Sequence, residues 1–131
     1  MPESDGVGGD LAAAIAAKDR TALLALLDDS VEFRALTPGR NWSADDAETA
    51  ADEIIFGSWF TDADHIEALE SVDTGEVNDR HRVAYRLRIT NDGQPYLCEQ
   101  QAYYEVRDGR IGWLRILCSG FRPTPAEGAQ L

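Results

Sequence analysis

Asp92-Gly93 and Asp108-Gly109 each stand between long segments in which apolar and polar residues alternate. Asp-Gly pairs supply the positive-φ residues of tight hairpin turns, and Asn91 extends the first signal. The C-terminal half must therefore fold as an antiparallel meander, which excludes an all-helical bundle. Four long strands are expected, over 65–74, 77–90, 96–107 and 110–120.

The turns also assign faces. In the second strand Val83, Tyr85, Leu87 and Ile89 share one face, and Arg82, Arg86, Arg88 and Thr90 share the other. The first set points at the core. In the third strand Cys98, Ala102, Tyr104 and Val106 point inward, against Glu99, Gln101, Glu105 and Arg107. Counting outward from Asp108-Gly109, Val106 faces Ile111, Tyr104 faces Trp113, Ala102 faces Arg115, Gln100 faces Leu117 and Cys98 faces Ser119. On this count Gln100 and Arg115 enter an apolar concavity. Tyr103, Leu114, Ile116 and Cys118 then form an outer apolar stripe, which usually means that another layer covers it. A β-bulge would shift these pairs, and long bent strands often carry one.

The N-terminal half reads as helical. Residues 11–17 are Ala-rich, and Asp19 offers an N-cap to a second helix through about Leu27. Residues 31–36 alternate and read as a short strand, which Thr37-Pro38-Gly39 ends. Ser43 is the expected cap of a third helix, with Asp45, Asp46 and Glu48 at its positive end and Ala47, Ala51, Ile54, Ile55 and Trp59 as its apolar stripe. Residues 1–9 and 123–131 read as flexible ends of a single domain over 10–122.

Composition narrows the function classes. The chain has 131 residues and a formal charge of −12. Asn41 to Asp79 holds 12 acids and no Lys or Arg, and the rest sums to zero. That balance opposes phosphate binding, so no nucleic-acid partner is expected. No apolar run reaches a membrane span, because Lys18-Asp19-Arg20 breaks the longest candidate. The acidic N-terminus is unlike a secretory signal, and two cysteines make neither a disulfide framework nor a structural zinc site. A cytoplasmic protein without metal or cofactor is expected. Cys98 and Cys118, on opposite faces by the hairpin count, should be two free buried thiols.

Leu26-Leu27-Asp28-Asp29-Ser30-Val31-Glu32-Phe33 closing the first helices, a middle helix, a curved sheet and the segment Tyr104-Glu105-Val106-Arg107-Asp108-Gly109-Arg110-Ile111 together resemble the nuclear transport factor 2-like superfamily. That group includes ketosteroid isomerases and SnoaL-like polyketide cyclases. The resemblance covers residues 10–122. It implies an α+β, cone-shaped fold, with N-terminal helices packed on a strongly curved antiparallel sheet that encloses a pocket, and frequent dimers through the outer face of the sheet. Three catalytic patterns of the group do not match. The place of the isomerase aspartate is Phe33, and the first helix lacks a tyrosine. Residues 111–120 hold no carboxylate for a cyclase. Arg86-Leu87-Arg88 lacks the aspartate of the Arg-x-Asp element of limonene epoxide hydrolase-like members.

Arg115 is the sharpest candidate. An inward guanidinium needs a partner, either a ligand oxygen or an internal acid. His65 follows Asp62 and Asp64 and could act as a general base, or lie on the surface. Tyr85, Gln100, Tyr104, Trp113, Trp59 and Trp42 are the expected pocket wall. The expected function is a small-molecule pocket protein of the SnoaL-like type: an acid–base isomerase, cyclase or lyase on an apolar substrate. The alternative is a non-catalytic ligand-binding or dimeric interaction domain. A homodimer is expected through Tyr103, Leu114, Ile116 and Cys118.

Overall fold

The computed structural model describes residues 3–124, with side chains from residue 6 onward. Helix α1 spans Glu3–Ala16 and helix α2 spans Arg20–Leu26. Asp19 caps α2 as expected, its carboxylate accepting from the Ala22 N–H at 3.0 Å. Helix α1 starts well before Leu11 and runs through the Gly-rich residues that the sequence reads as a loose end. Tertiary packing overrides propensity there. Val7, Leu11, Ala12 and Ile15 are buried, and Gly8 lies against Val83 and the Tyr104 hydroxyl with no room for a Cβ. Met1, Pro2 and residues 125–131 lie outside the described residues.

Strands β1 (Leu27–Thr37) and β2 (Arg40–Ala44) form a hairpin, followed by helix α3 (Thr49–Trp59). Ser43 lies in β2 and does not cap α3. Asp46 takes that role, accepting from the Thr49 N–H at 2.8 Å. Helix α3 is a π-helix, closed by Phe60 N–H donating to the Ile55 carbonyl at 2.9 Å. Its expected stripe Ala47, Ala51, Ile54, Ile55 and Trp59 is buried.

The remaining chain forms β3 (His65–Val77), β4 (Arg80–Asn91), β5 (Gln94–Arg107), β6 (Arg110–Cys118) and a two-residue β7 (Arg122–Pro123) beside the start of β5. The strand order is β2-β1-β6-β5-β4-β3 in one curved, unclosed sheet. The sheet is mixed, not wholly antiparallel, because β1 pairs with β6 in parallel. Strands so far apart in sequence carry no turn signal for their pairing. Among the described residues no helix is long and apolar enough to cross a membrane.

The hairpin count fails in β6. Val106 faces Ile111 as expected, but Glu105 then faces Trp113, and Gly112 is the extra residue of a bulge. One inserted residue sends every later side chain to the other face. Tyr104 therefore faces Leu114, Ala102 faces Ile116 and Gln100 faces Cys118. Leu114, Ile116 and Cys118 belong to the core, not to an outer stripe. Trp113, Arg115 and Leu117 take the outer face.

Candidate functional site at the mouth of the cone

The interior of the cone is lined by buried side chains. Phe33, Val83, Tyr85, Leu87, Ala102, Tyr104 and Leu114 are all buried. Tyr85 and Gln100 do point inward, and the Tyr85 hydroxyl donates to Gln100 Oε1 at 2.6 Å, which leaves the Gln100 Nε2 without a partner of its own. Burial holds the Tyr85 hydroxyl well above its ordinary pKa. Tyr104 lies under α1, its ring 5.3 Å from that of His81.

Open space remains where α3 ends and β6 runs out. A cavity of about 290 Å³ is lined by Trp59, Phe60, Phe121, Asp64, Cys118 and Gly120, among others. Its aromatic wall is ordered by contacts: Phe60 stacks on Phe121 at 5.8 Å, and Trp59 meets Phe33 and Trp42 at 6.0 Å each. Trp42 stands behind Trp59, its Nε1 donating to Thr37 Oγ1 at 2.7 Å. Trp59 Nε1 is buried and has no hydrogen-bond partner among the described residues.

Asp64 is a carboxylate on this cavity, and it is engaged. It accepts from the Thr61 N–H at 3.0 Å, from Thr61 Oγ1 at 3.2 Å and from Asn91 Nδ2 at 2.6 Å. Lys18 reaches across from the α1–α2 junction, its ammonium donating to the Thr61 carbonyl at 2.6 Å and to the Asp64 carbonyl. These bonds make the 61–64 loop a fixed rim.

Cys118 lies at the inner edge. Its sulfur is 3.6 Å from that of Cys98 and accepts from the Gly120 N–H at 3.3 Å. The two cysteines are thus on one face and adjacent, contrary to the opposite faces expected, and both are free thiols. The Gln100 amide, whose Nε2 is buried without a full hydrogen bond, flanks the same sulfur. The Cys98 thiol, the Gln100 amide and the Gly120 N–H favour a Cys118 thiolate and hold its pKa below the ordinary thiol value despite burial. Cys98, hydrogen-bonded to that sulfur and buried, is pushed strongly up.

Arg115 is not at this site. It lies on the outer face, paired with Glu32 at 2.5 Å and stacked 4.3 Å from the Trp113 ring centroid. Arg80 covers Trp113 as well, at 4.2 Å, so Trp113 is not pocket wall. Arg115 holds the Glu32 carboxyl below its ordinary range. Because that value is depressed on folding, the pair's contribution is present at neutral pH and fades as the pH falls through it. The pair is exposed, so Arg115→Met should leave the neutral-pH melt almost unchanged and blunt only its acid dependence. His65 is largely exposed, 3.9 Å from Glu67, and does not reach the cavity.

Of the expected wall residues, Trp59 lines this cavity and Trp42 stands behind it, whereas Phe60, Phe121 and Cys118 are not among them. The signal available was Gly112, since a glycine inside a strand often marks a bulge. Among the described residues no group of three His, Cys, Asp or Glu could hold a metal ion.

The fold has solved counterparts. A protein from Bacillus subtilis assigned as an isomerase superposes with a TM-score of 0.70 at 18% identity, over 91% of this chain and 90% of its own. An NTF2-like protein from Burkholderia thailandensis gives 0.66 at 17%, over 91% and 92%. An LEH-like epoxide hydrolase from M. tuberculosis gives 0.65 at 14%, over 89% and 83%. No family model and no curated protein matches the chain. Helices on a curved mixed sheet, with solved structures of this group superposing over most of their length, give the chain the nuclear transport factor 2-like fold.

Proposed function

We propose that the protein binds a small, flat, mainly apolar molecule at the mouth of its cone. The observation that carries this reading is the aromatic cavity of about 290 Å³ at the end of α3 and β6. An apolar wall with a few polar groups at its edge is the usual make-up of a small-ligand site. Trp59, Phe60 and Phe121 supply stacking surface. The unpartnered Trp59 Nε1 offers one donor to a ligand oxygen. Binding is favoured over acid–base turnover, because Asp64 is held by three donors and His65 lies away from the cavity. Any isomerase, cyclase or lyase activity would need another base.

The test uses 2-naphthol, a flat apolar probe with one polar atom. It should quench tryptophan fluorescence saturably, and both Phe121→Ala and Trp59→Phe should remove the saturable phase. Quenching that survives both substitutions would overturn this reading. Native mass spectrometry of the protein purified from its own host should show a retained small molecule.

A second reading, compatible with the first, is a homodimer through the outer face of the sheet. Its support is a groove of about 540 Å³ lined by Leu36, Leu117 and Tyr103 beside the cross-strand neighbours Arg34 and Arg115. Leu36 and Leu117 are 50% and 56% exposed, unusual for leucine on a sheet face. A two-fold axis through the groove would bury both leucines against their copies. The contact residues differ from those expected, since Leu114, Ile116 and Cys118 face the core. Leu117→Lys should therefore turn a dimer into a folded monomer, as read by sedimentation. A monomeric wild type at micromolar concentration would sink the dimer.

A further inference from the structure

We propose that Cys118 and Cys98 form a peroxide-reactive dithiol, in which Cys118 attacks a small hydroperoxide entering at the mouth and Cys98 resolves the product as an intramolecular disulfide. This goes beyond ligand binding and does not depend on it, since hydrogen peroxide needs only an opening.

Geometry carries the argument. The chain has two cysteines, 20 residues apart, and the Gly112 bulge brings them onto one face with their sulfurs 3.6 Å apart. Their surroundings are unequal. Cys118 lines the cavity and receives the Gly120 N–H. Cys98 is fully buried behind it. Tyr85 from β4, Glu99 and Gln100 from β5, Ser119 just after β6, and Asp64, Thr37 and Ser58 on the cavity are the polar groups near the pair. A cavity-facing sulfur that receives a backbone N–H, beside a fully shielded one, is the arrangement of an attacking and a resolving cysteine.

The chemistry balances. The Cys118 thiolate attacks the peroxide, an S–O bond forms and the O–O bond breaks. The leaving alkoxide or hydroxide takes a proton from water. Cys118 is then a sulfenic acid. The Cys98 sulfur attacks it, an S–S bond forms and the S–O bond breaks. The departing hydroxide leaves as water with the Cys98 proton. Two thiols are oxidised by two electrons, and the peroxide is reduced by two. Bringing the sulfurs to bonding distance needs a shift of about 1.5 Å. Cys118 is the side that can make it. It is the last residue of β6, it is followed by Gly120 at φ 75°, and it has open space beside it.

The full chain, reduced and freed of reductant, is treated with one equivalent of hydrogen peroxide and then denatured for thiol counting and intact mass. The wild type should lose both thiols and two hydrogens while staying a single chain. Cys98→Ser should stop at a sulfenic acid that dimedone traps. Cys118→Ser should not react, and thermal melts establish that both variants fold. A readout independent of folding variants is the wild-type rate against pH. From pH 8 to pH 6.5 it should fall far less than the rate of free cysteine, which should lose about 20-fold. Two thiols surviving in the folded wild type would overturn the proposal. So would a disulfide between chains, or a pH profile that follows free cysteine. Failure to bind 2-naphthol, with disulfide formation intact, would remove the ligand-binding reading alone.

Discussion

Leu114→Lys should leave no folded subunit. Leu114 is fully buried, with Phe33 of β1 on one side and Tyr104 of β5 on the other. An ammonium there has no acid to meet, and an unpaired buried charge costs several kcal/mol. That is comparable to the whole stability of a domain, about 5–15 kcal/mol. The milder Leu114→Ala should still cost about 2–5 kcal/mol in chemical denaturation. The experiment also decides between two registers. Were Leu114 on the outer stripe, the lysine variant would be a folded, soluble monomer with an ordinary melt.

Inserting one alanine between Trp113 and Leu114 should be as severe, for a different reason. The added residue would take the place of Leu114 opposite Tyr104, and every later residue of β6 would move one step along β5. Arg115 would then be driven inward opposite Ala102, and Leu114, Ile116 and Cys118 would be turned out to solvent. The loss of those buried side chains and the burial of a guanidinium exceed what the fold can absorb. The expected result is an unfolded or aggregated chain by circular dichroism and solubility. Gly112→Ala is the control. A Cβ there meets only the flexible Arg107 side chain, at 3.3 Å, so the variant should fold and lose no more than about 1 kcal/mol. A large loss in the control would mean that Gly112 is needed for its missing side chain and not for its place in the count.

These two variants mark where the sequence was readable and where it stopped. The turns at Asp92-Gly93 and Asp108-Gly109 are local chemistry, and both form, with Asp92, Gly93, Asp108 and Gly109 all at positive φ. The alternation Val83, Tyr85, Leu87, Ile89 survives because β4 pairs with β5 without interruption. In β6 the alternation itself is sound, but its phase depends on Gly112, and one residue reverses the answer. That single step carried Arg115 out of the pocket and Cys118 into it. Strand β2 is not legible in the sequence, and Ser43 within it reads as a helix cap, because nothing in Arg40-Asn41-Trp42-Ser43-Ala44 shows that β1 lies beside it. The mouth was only partly legible for the same reason. Trp59 follows from a helix stripe. Phe60 and Phe121 meet only in the folded chain, across 61 residues.

Strand β6 lies between β1 and β5, so the last long strand of the chain occupies the middle of the sheet. Its neighbour on one side was synthesised about 80 residues earlier, and Glu32 and Arg115 meet across a separation of 83 residues. The N-terminal helices and the β1–β2 hairpin must then wait, with Phe33 and Val31 uncovered, until the chain has been made through Cys118. Closing so long a loop is slow in conformational entropy, and the waiting edge of β1 is open to other chains. The order of synthesis thus leaves the centre of this protein to be assembled last, and its hazard is met on the ribosome, not in the finished molecule.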